Sequence, residues 1–170
     1  LELQPNHVEA FVLLGSAYAN KRDLPRAMTT LQSAVKLDAK RVPTYLALAA
    51  VQRLNRDVKA AEKTYQDALS IDPQNVQAHL ALGAFYATEQ QFSKAEAQYR
   101  KALALQPENV TLHLYLAQLY ATNQKLPEAT QALKQATTLD PKDMRPYLAL
   151  GDFYVDTQQL AEAATTYQQA

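Results

Sequence analysis

VQAHLALGAFYATEQQFSKAEAQYRKALALQPEN, residues 76–109, lands on itself when slid along the chain by 34 residues in either direction. Gly83 falls on Gly15 and Gly151, and Ala95 falls on Ala27, Ala61, Ala129 and Ala163. Pro107 falls on Pro5, Pro73 and Pro141. A fixed period of this size predicts a solenoid, in which each unit packs on its neighbours and no single central core forms.

The frame runs through the whole chain. Residues 1–7 (LELQPNH) match the tail of a unit, as in 103–109. Full units follow at 8–41, 42–75, 76–109 and 110–143, and a shortened fifth at 144–170. The chain starts at Leu1 and the frame is cut within a helix at both ends, so the expectation is a fragment of a longer array. Complementary ends also suggest head-to-tail self-stacking with the period preserved.

Composition narrows the classes. Of 170 residues, 48% are hydrophobic and 20% charged, as in ordinary folded proteins. Seventeen basic residues balance seventeen acidic ones, so no global field favours nucleic acid or an anionic membrane. The absence of cysteine removes disulfides, thiolate metal sites and a cysteine nucleophile. The longest near-apolar run, 45–51, is far short of the ~20 residues that cross a bilayer. Compartment stays open between a bacterial periplasm or envelope and the cytoplasm.

Each unit carries two apolar patterns at helical spacing. In the central unit His79, Leu82, Gly83 and Tyr86 stripe a first helix. Phe92, Ala95, Tyr99, Ala102, Leu103 and Leu105 stripe a second, after the polar turn 88–91. Asp72-Pro73, Gln106-Pro107 and Asp140-Pro141 then stop the helix, because proline has no N–H to continue it. All eight prolines fall at helix edges, and all three glycines hold one position where two helices can approach closely. No glycine or proline remains to build a catalytic loop.

These residues resemble the tetratricopeptide repeat (TPR) family. Its aromatic, Leu, Gly, Tyr series stands here as Phe11-Leu14-Gly15-Tyr18 and Tyr147-Leu150-Gly151-Tyr154. Its Ala, aromatic, Ala, Pro series stands as Ala61-Tyr65-Ala68-Pro73 and Ala95-Tyr99-Ala102-Pro107. Departures gather in 42–75 and the turn that leads into it, where Gln52 replaces the tyrosine and Ala39 the proline, which marks this unit as the loosest joint. The resemblance implies an all-α right-handed superhelix of antiparallel helix pairs, with first helices lining a concave face. It further implies a non-catalytic protein-interaction scaffold that needs no cofactor or metal.

Candidate chemistry is sparse. His79 and His113 hold one place in adjacent units, either as a metal pair or as fillers of the aromatic slot taken by Phe11, Tyr45 and Tyr147. Neither has an acidic or histidine ligand beside it at helical spacing, so slot-filling is expected. His7 falls in a solvated turn. Tyr18, Tyr86, Tyr120 and Tyr154 form a column suited to helix packing with a polar tip. Asn109-Val110-Thr111 spells a glycosylation sequon. The paired glutamines 90–91, 158–159 and 168–169 read as solvated helix surface.

Recognition is expected in the concave groove. Its candidate lining is Val12, Leu46, Gln77, Leu80, Ala84, Leu114, Tyr115, Gln118 and Leu148, an aliphatic column in neutral, small-residue surroundings. The basic clamp by which some TPR domains hold a terminal carboxylate is not matched, since Val12, Leu46, Leu80, Ala47 and Ala81 stand there. The asparagine ladder of TPR-bearing sugar transferases is not matched either, at Leu13, Ala47, Ala81, Tyr115 and Ala149. The expected partner is a protein or peptide segment. The alternative is a structural spacer or a substrate-recruiting arm of a larger multidomain protein, as in bacterial envelope, secretion or exopolysaccharide export assemblies.

Overall fold

The computed structural model describes residues 8–170. The expected repeat tail 1–7, with Pro5 and His7, lies outside the described residues. Among the described residues the chain is ten α-helices without a strand, an all-α solenoid of helix pairs. In order these are α1 (Val8–Asn20), α2 (Leu24–Leu37), α3 (Val42–Leu54), α4 (Val58–Ile71) and α5 (Val76–Thr88). Then follow α6 (Phe92–Leu105), α7 (Val110–Thr122), α8 (Leu126–Leu139), α9 (Met144–Asp156) and α10 (Leu160–Tyr167). The chain divides into two compact units, one ending at Leu82 and the other spanning Gly83–Ala170, with α5 contributing to both.

The turn within each pair has one construction. Arg22, Arg56, Gln90, Gln124 and Gln158 adopt φ between 56° and 63°, the left-handed region. The next N–H reaches back to the carbonyl five residues earlier, as in Asp23 to Tyr18 (2.9 Å), Gln91 to Tyr86 (2.8 Å) and Lys125 to Tyr120 (2.8 Å). The left-handed residue itself bonds three back, as in Gln124 to Ala121 (3.1 Å). This is the Schellman closure, which satisfies the last carbonyls of a helix and for which glycine is the unstrained choice. Glutamine and arginine hold it here. Gln90 thus lies in the polar turn expected at 88–91, Gln158, read from sequence as helix surface, is its counterpart, and Gln91 and Gln159 head the second helices.

Helix starts are capped unevenly. Asp23 accepts from the Arg26 N–H (3.3 Å) and Asp57 from the Ala60 N–H (3.2 Å), whereas Gln91, Lys125 and Gln159 make no such bond. Between pairs, Asp38, Asp72 and Asp140 accept from the N–H two residues on, at 3.0–3.1 Å. Short acidic side chains favour such turns because the carboxylate mimics a backbone carbonyl.

Within the first unit, Ala27, Leu31, Leu48 and Val51 form one buried cluster and Val42, Ala68 and Ala78 another. A side chain on Gly15 would begin 2.6 Å from Leu31 Cγ. Within the second unit, a side chain on Gly83 would begin 2.5 Å from Tyr99 Cε1, and Gly151 faces the Tyr167 ring in the same way. Ala95 and Ala129 are fully buried, 0% exposed, where paired helices pass. Leu105, assigned from sequence to the buried stripe, is instead 38% exposed, because it is the last residue of α6 and the chain turns away there.

The pair α3–α4, which departs most from the pattern, carries buried polar atoms. Gln52 and Thr44 are buried, and neither Gln52 Oε1 nor Thr44 Oγ1 has a hydrogen-bond partner. Desolvating such groups unpaired is destabilising.

Two outcomes test this packing. Ala129→Leu adds three carbons at a site with no room and is expected to cost ~1–3 kcal/mol in a denaturant melt. Gln124→Gly is expected to raise the melting temperature, by ~0.5–1 kcal/mol of added stability. Relief of the left-handed strain there exceeds the extra freedom glycine gives the unfolded chain. A neutral Ala129→Leu, or a destabilised Gln124→Gly, contradicts the assigned register.

Candidate functional site

The second unit contains an open cleft of about 310 Å³. Its construction follows from three residue choices. Gly83 lets the Tyr99 ring of α6 lie against α5. Tyr115 of α7 then stacks on Tyr99, with ring centroids 5.8 Å apart and planes inclined at 26°. Ala84 and Ala87 on α5 leave the volume above those rings open, and Phe92 and Leu119 close the apolar side. Tyr115 is the one aromatic side chain at its repeat position, which Leu13, Ala47, Ala81 and Ala149 share.

Thr88, Gln118 and Thr122 form the polar rim. The two hydroxyls are already spent, Thr88 donating to the Ala84 carbonyl (2.9 Å) and Thr122 to the Gln118 carbonyl (2.8 Å). The exposed Gln118 amide keeps both a donor and an acceptor facing solvent. No acidic or basic side chain lines the cleft. Burial pushes the Tyr99 hydroxyl up to about 12, and the neighbouring Tyr115 phenol acts in the same direction, so Tyr99 stays neutral at physiological pH. The surface is suited to apolar and stacking contacts with a few hydrogen bonds at its edge, and it holds no nucleophile–base arrangement.

Of the nine candidate residues from sequence, the cleft brings together Ala84, Tyr115 and Gln118. Val12 is half-buried against the Leu48–Val51 cluster, and Leu46 against Val42, Ala68 and Ala78, so both serve packing in the first unit. Leu80 and Leu114 are half-buried, Gln77 is exposed, and Leu148 is 42% exposed. Sequence reasoning placed Phe92 and Tyr99 in the helix-packing stripe and missed that their ring edges also line the cleft. The sixteen-residue spacing from Gly83 to Tyr99 is the signal that marks the ring's place.

A polar network lies on α6 and α7. Glu96 accepts from Arg100 Nε (2.9 Å), from the Tyr120 hydroxyl (3.0 Å) and from Lys125 Nζ (3.3 Å). Arg100 also donates to the Tyr120 oxygen (2.9 Å). Burial pushes the Glu96 carboxyl upward, but the bonds from Arg100, Tyr120 and Lys125 outweigh it and hold the group below its ordinary 4.5. Thus the column tyrosine at 120 does more than fill space: it ties α7 to α6.

The aromatic-slot residues have a similar anchoring role. His79 Nε2 lies 3.0 Å from the Pro73 carbonyl and His113 Nε2 3.0 Å from the Pro107 carbonyl. The Tyr45 hydroxyl donates to the Ala39 carbonyl (3.1 Å). Each of these three polar tips thus reaches the turn six residues back. No group of three metal-ligating side chains occurs among the described residues. Asn109, the sequon asparagine, caps α7 by accepting from the Leu112 N–H (3.3 Å) and donates to Gln106 Oε1 (2.8 Å).

Residues 45–170 match the family model described as the cilia and flagella-associated protein 70 middle TPR-like domain, and residues 8–41 match the tetratricopeptide repeat model. No curated protein matches the sequence. Several solved structures share the fold. The pilF structure of Pseudomonas aeruginosa superposes with a TM-score of 0.78 at 21% identity, over 95% of this chain and 74% of that one. MamA of Desulfovibrio magneticus RS-1 gives 0.74 at 16% identity, over 95% and 92%. YrrB, described as a TPR protein with an unusual peptide-binding site, gives 0.65 at 17% identity, over 98% and 86%.

The Glu96 network sets an expected pH dependence. A carboxyl held low in the folded state stabilises above its unfolded value, and that contribution disappears as pH falls through the folded value. Wild type is therefore expected to be more stable than Glu96→Gln at pH 7, with the gap closing between about pH 5 and pH 3. Chemical melts at several pH values check this, and a gap independent of pH removes the network from the account.

Proposed function

The chain belongs to the tetratricopeptide repeat family, and from that premise we propose that it is a non-catalytic interaction scaffold whose second unit binds an extended partner segment in the Tyr99–Tyr115 cleft. The stacked tyrosine pair carries this reading. Two rings beneath a hollow floored by alanines offer an apolar side chain a complementary seat, and stacked aromatic contacts favour a planar or aromatic one. The Gln118 amide at the rim suits the unpaired backbone groups of an extended peptide. A peptide-binding site in YrrB, a protein of the same fold, supports the class of ligand. Participation of Leu114 and Leu148, also in the second unit, extends the same proposal along the first-helix faces.

Tyr115→Ala removes the stacking ring while Tyr99 remains over Gly83. Selection from a random peptide-display library on the intact chain is expected to enrich peptides with a required apolar or aromatic anchor. Their affinity is expected to fall roughly tenfold or more in Tyr115→Ala, as loss of an aromatic anchor implies. Leu114→Asp is a poor probe, because a charge at that half-buried position disturbs packing as well. Peptides that bind wild type and Tyr115→Ala equally refute the cleft, and a failure to enrich any peptide favours the spacer alternative.

A further inference from the structure

The cleft itself is uncharged, but the next first helix of the same unit is not. Tyr167 lies on Gly151 as Tyr99 lies on Gly83, and its hydroxyl donates to Asp152 Oδ1 at 2.7 Å. Asp152 therefore stands on α9 where Ala84 stands on α5 and Gln118 on α7, the two residues that line the cleft. Asp156 follows one turn later, where Thr88 and Thr122 form the rim. The hydrogen bond to Asp152 raises the Tyr167 hydroxyl, and burial and the charges of Asp152 and Asp156 act in the same direction.

Both carboxylates are exposed, and neither is ion-paired among the described residues. Two cations of the same unit, one of them on α9 itself, are engaged with other carboxylates. Arg145 is held by Asp143 at 2.6 Å and Lys125 by Glu96 at 3.3 Å. The helices α7 and α9 touch. Neighbouring helix axes lie about 8–10 Å apart, and an extended peptide advances about 3.3 Å per residue. A segment seated by its anchor on Tyr115 and crossing α9 thus presents its third or fourth flanking residue to Asp152 and Asp156.

We propose that the occupant of this groove is a basic extended segment: an apolar or aromatic anchor on Tyr99 and Tyr115, with a lysine or arginine about three residues away facing Asp152 and Asp156. This rests on the reading of the cleft given above and adds the charge of its partner. A segment carrying Asp or Glu at that place is disfavoured by repulsion from two unpaired carboxylates.

The test is a display library of twelve-residue peptides with a fixed central phenylalanine and all other positions random, selected on wild type and on Asp152→Asn/Asp156→Asn. Asparagine keeps an acceptor for the Tyr167 hydroxyl, so the fold is retained, which a melt verifies. The expected result is enrichment of Lys and Arg three or four residues from the phenylalanine on wild type alone. Synthetic peptides from that pool are expected to bind the double variant roughly threefold more weakly, with the difference vanishing at high salt. Peptides that require Tyr115 but show no basic preference overturn the charge assignment and leave the cleft standing. Absence of any enriched peptide overturns both.

Discussion

The close passage of two helices at a residue with no side chain, or only a methyl, is the constraint from which the rest of this structure follows. Gly15 against Leu31, Gly83 against Tyr99 and Gly151 against Tyr167 leave no space for a Cβ. Ala27, Ala61, Ala95, Ala129 and Ala163 perform the reciprocal service from the second helix, all at most 3% exposed. With separation fixed this tightly, the angle between paired helices is set by the bulky residue that fills the contact. The turns must then close in three residues, and they do so with left-handed glutamine or arginine. Interior packing tolerates neither extra volume nor voids, so this small-against-large pattern propagates into each pair.

Much of this was legible beforehand because the signals are local. The period, the proline stops and the glycine position mark the helices and their pairing. What stayed hidden depends on residues in different pairs, or on conformations that composition does not announce. Nothing about glutamine at 90, 124 and 158 advertises a positive φ, since glycine is the usual marker. Glu96 reads as an ordinary surface acid until Tyr120 and Lys125, 24 and 29 residues away, are brought to it. The histidines at 79 and 113 were read as slot-fillers, yet the hydrogen bonds that explain a polar slot appear only once the preceding turn is placed.

The cleft shows the same division. Tyr115 stood out in sequence as a groove residue, in a row with Leu13, Ala47, Ala81 and Ala149, and Gln118 as another. Tyr99 did not, because a stripe assignment asks which side of a helix is buried and not whether one ring edge stays accessible. Conversely, the aliphatic column looked like one binding feature, but Val12 and Leu46 are occupied in holding their own unit together. The column is common to every repeat, whereas the cleft is built around Tyr115, an aromatic residue of the neighbouring row.

The glycine-to-ring contacts also bear on how the chain acquires its fold. Each joins residues only sixteen positions apart, and the longest side-chain tie in the Glu96 network spans 29. Chains whose contacts are this local lose little loop entropy before native contacts form, and they fold fast for their length. Assembly of this kind proceeds by growth from whichever pair forms first. A partner segment binding at one cleft therefore stabilises the pairs that build it and leaves distant pairs free to open on their own timescale.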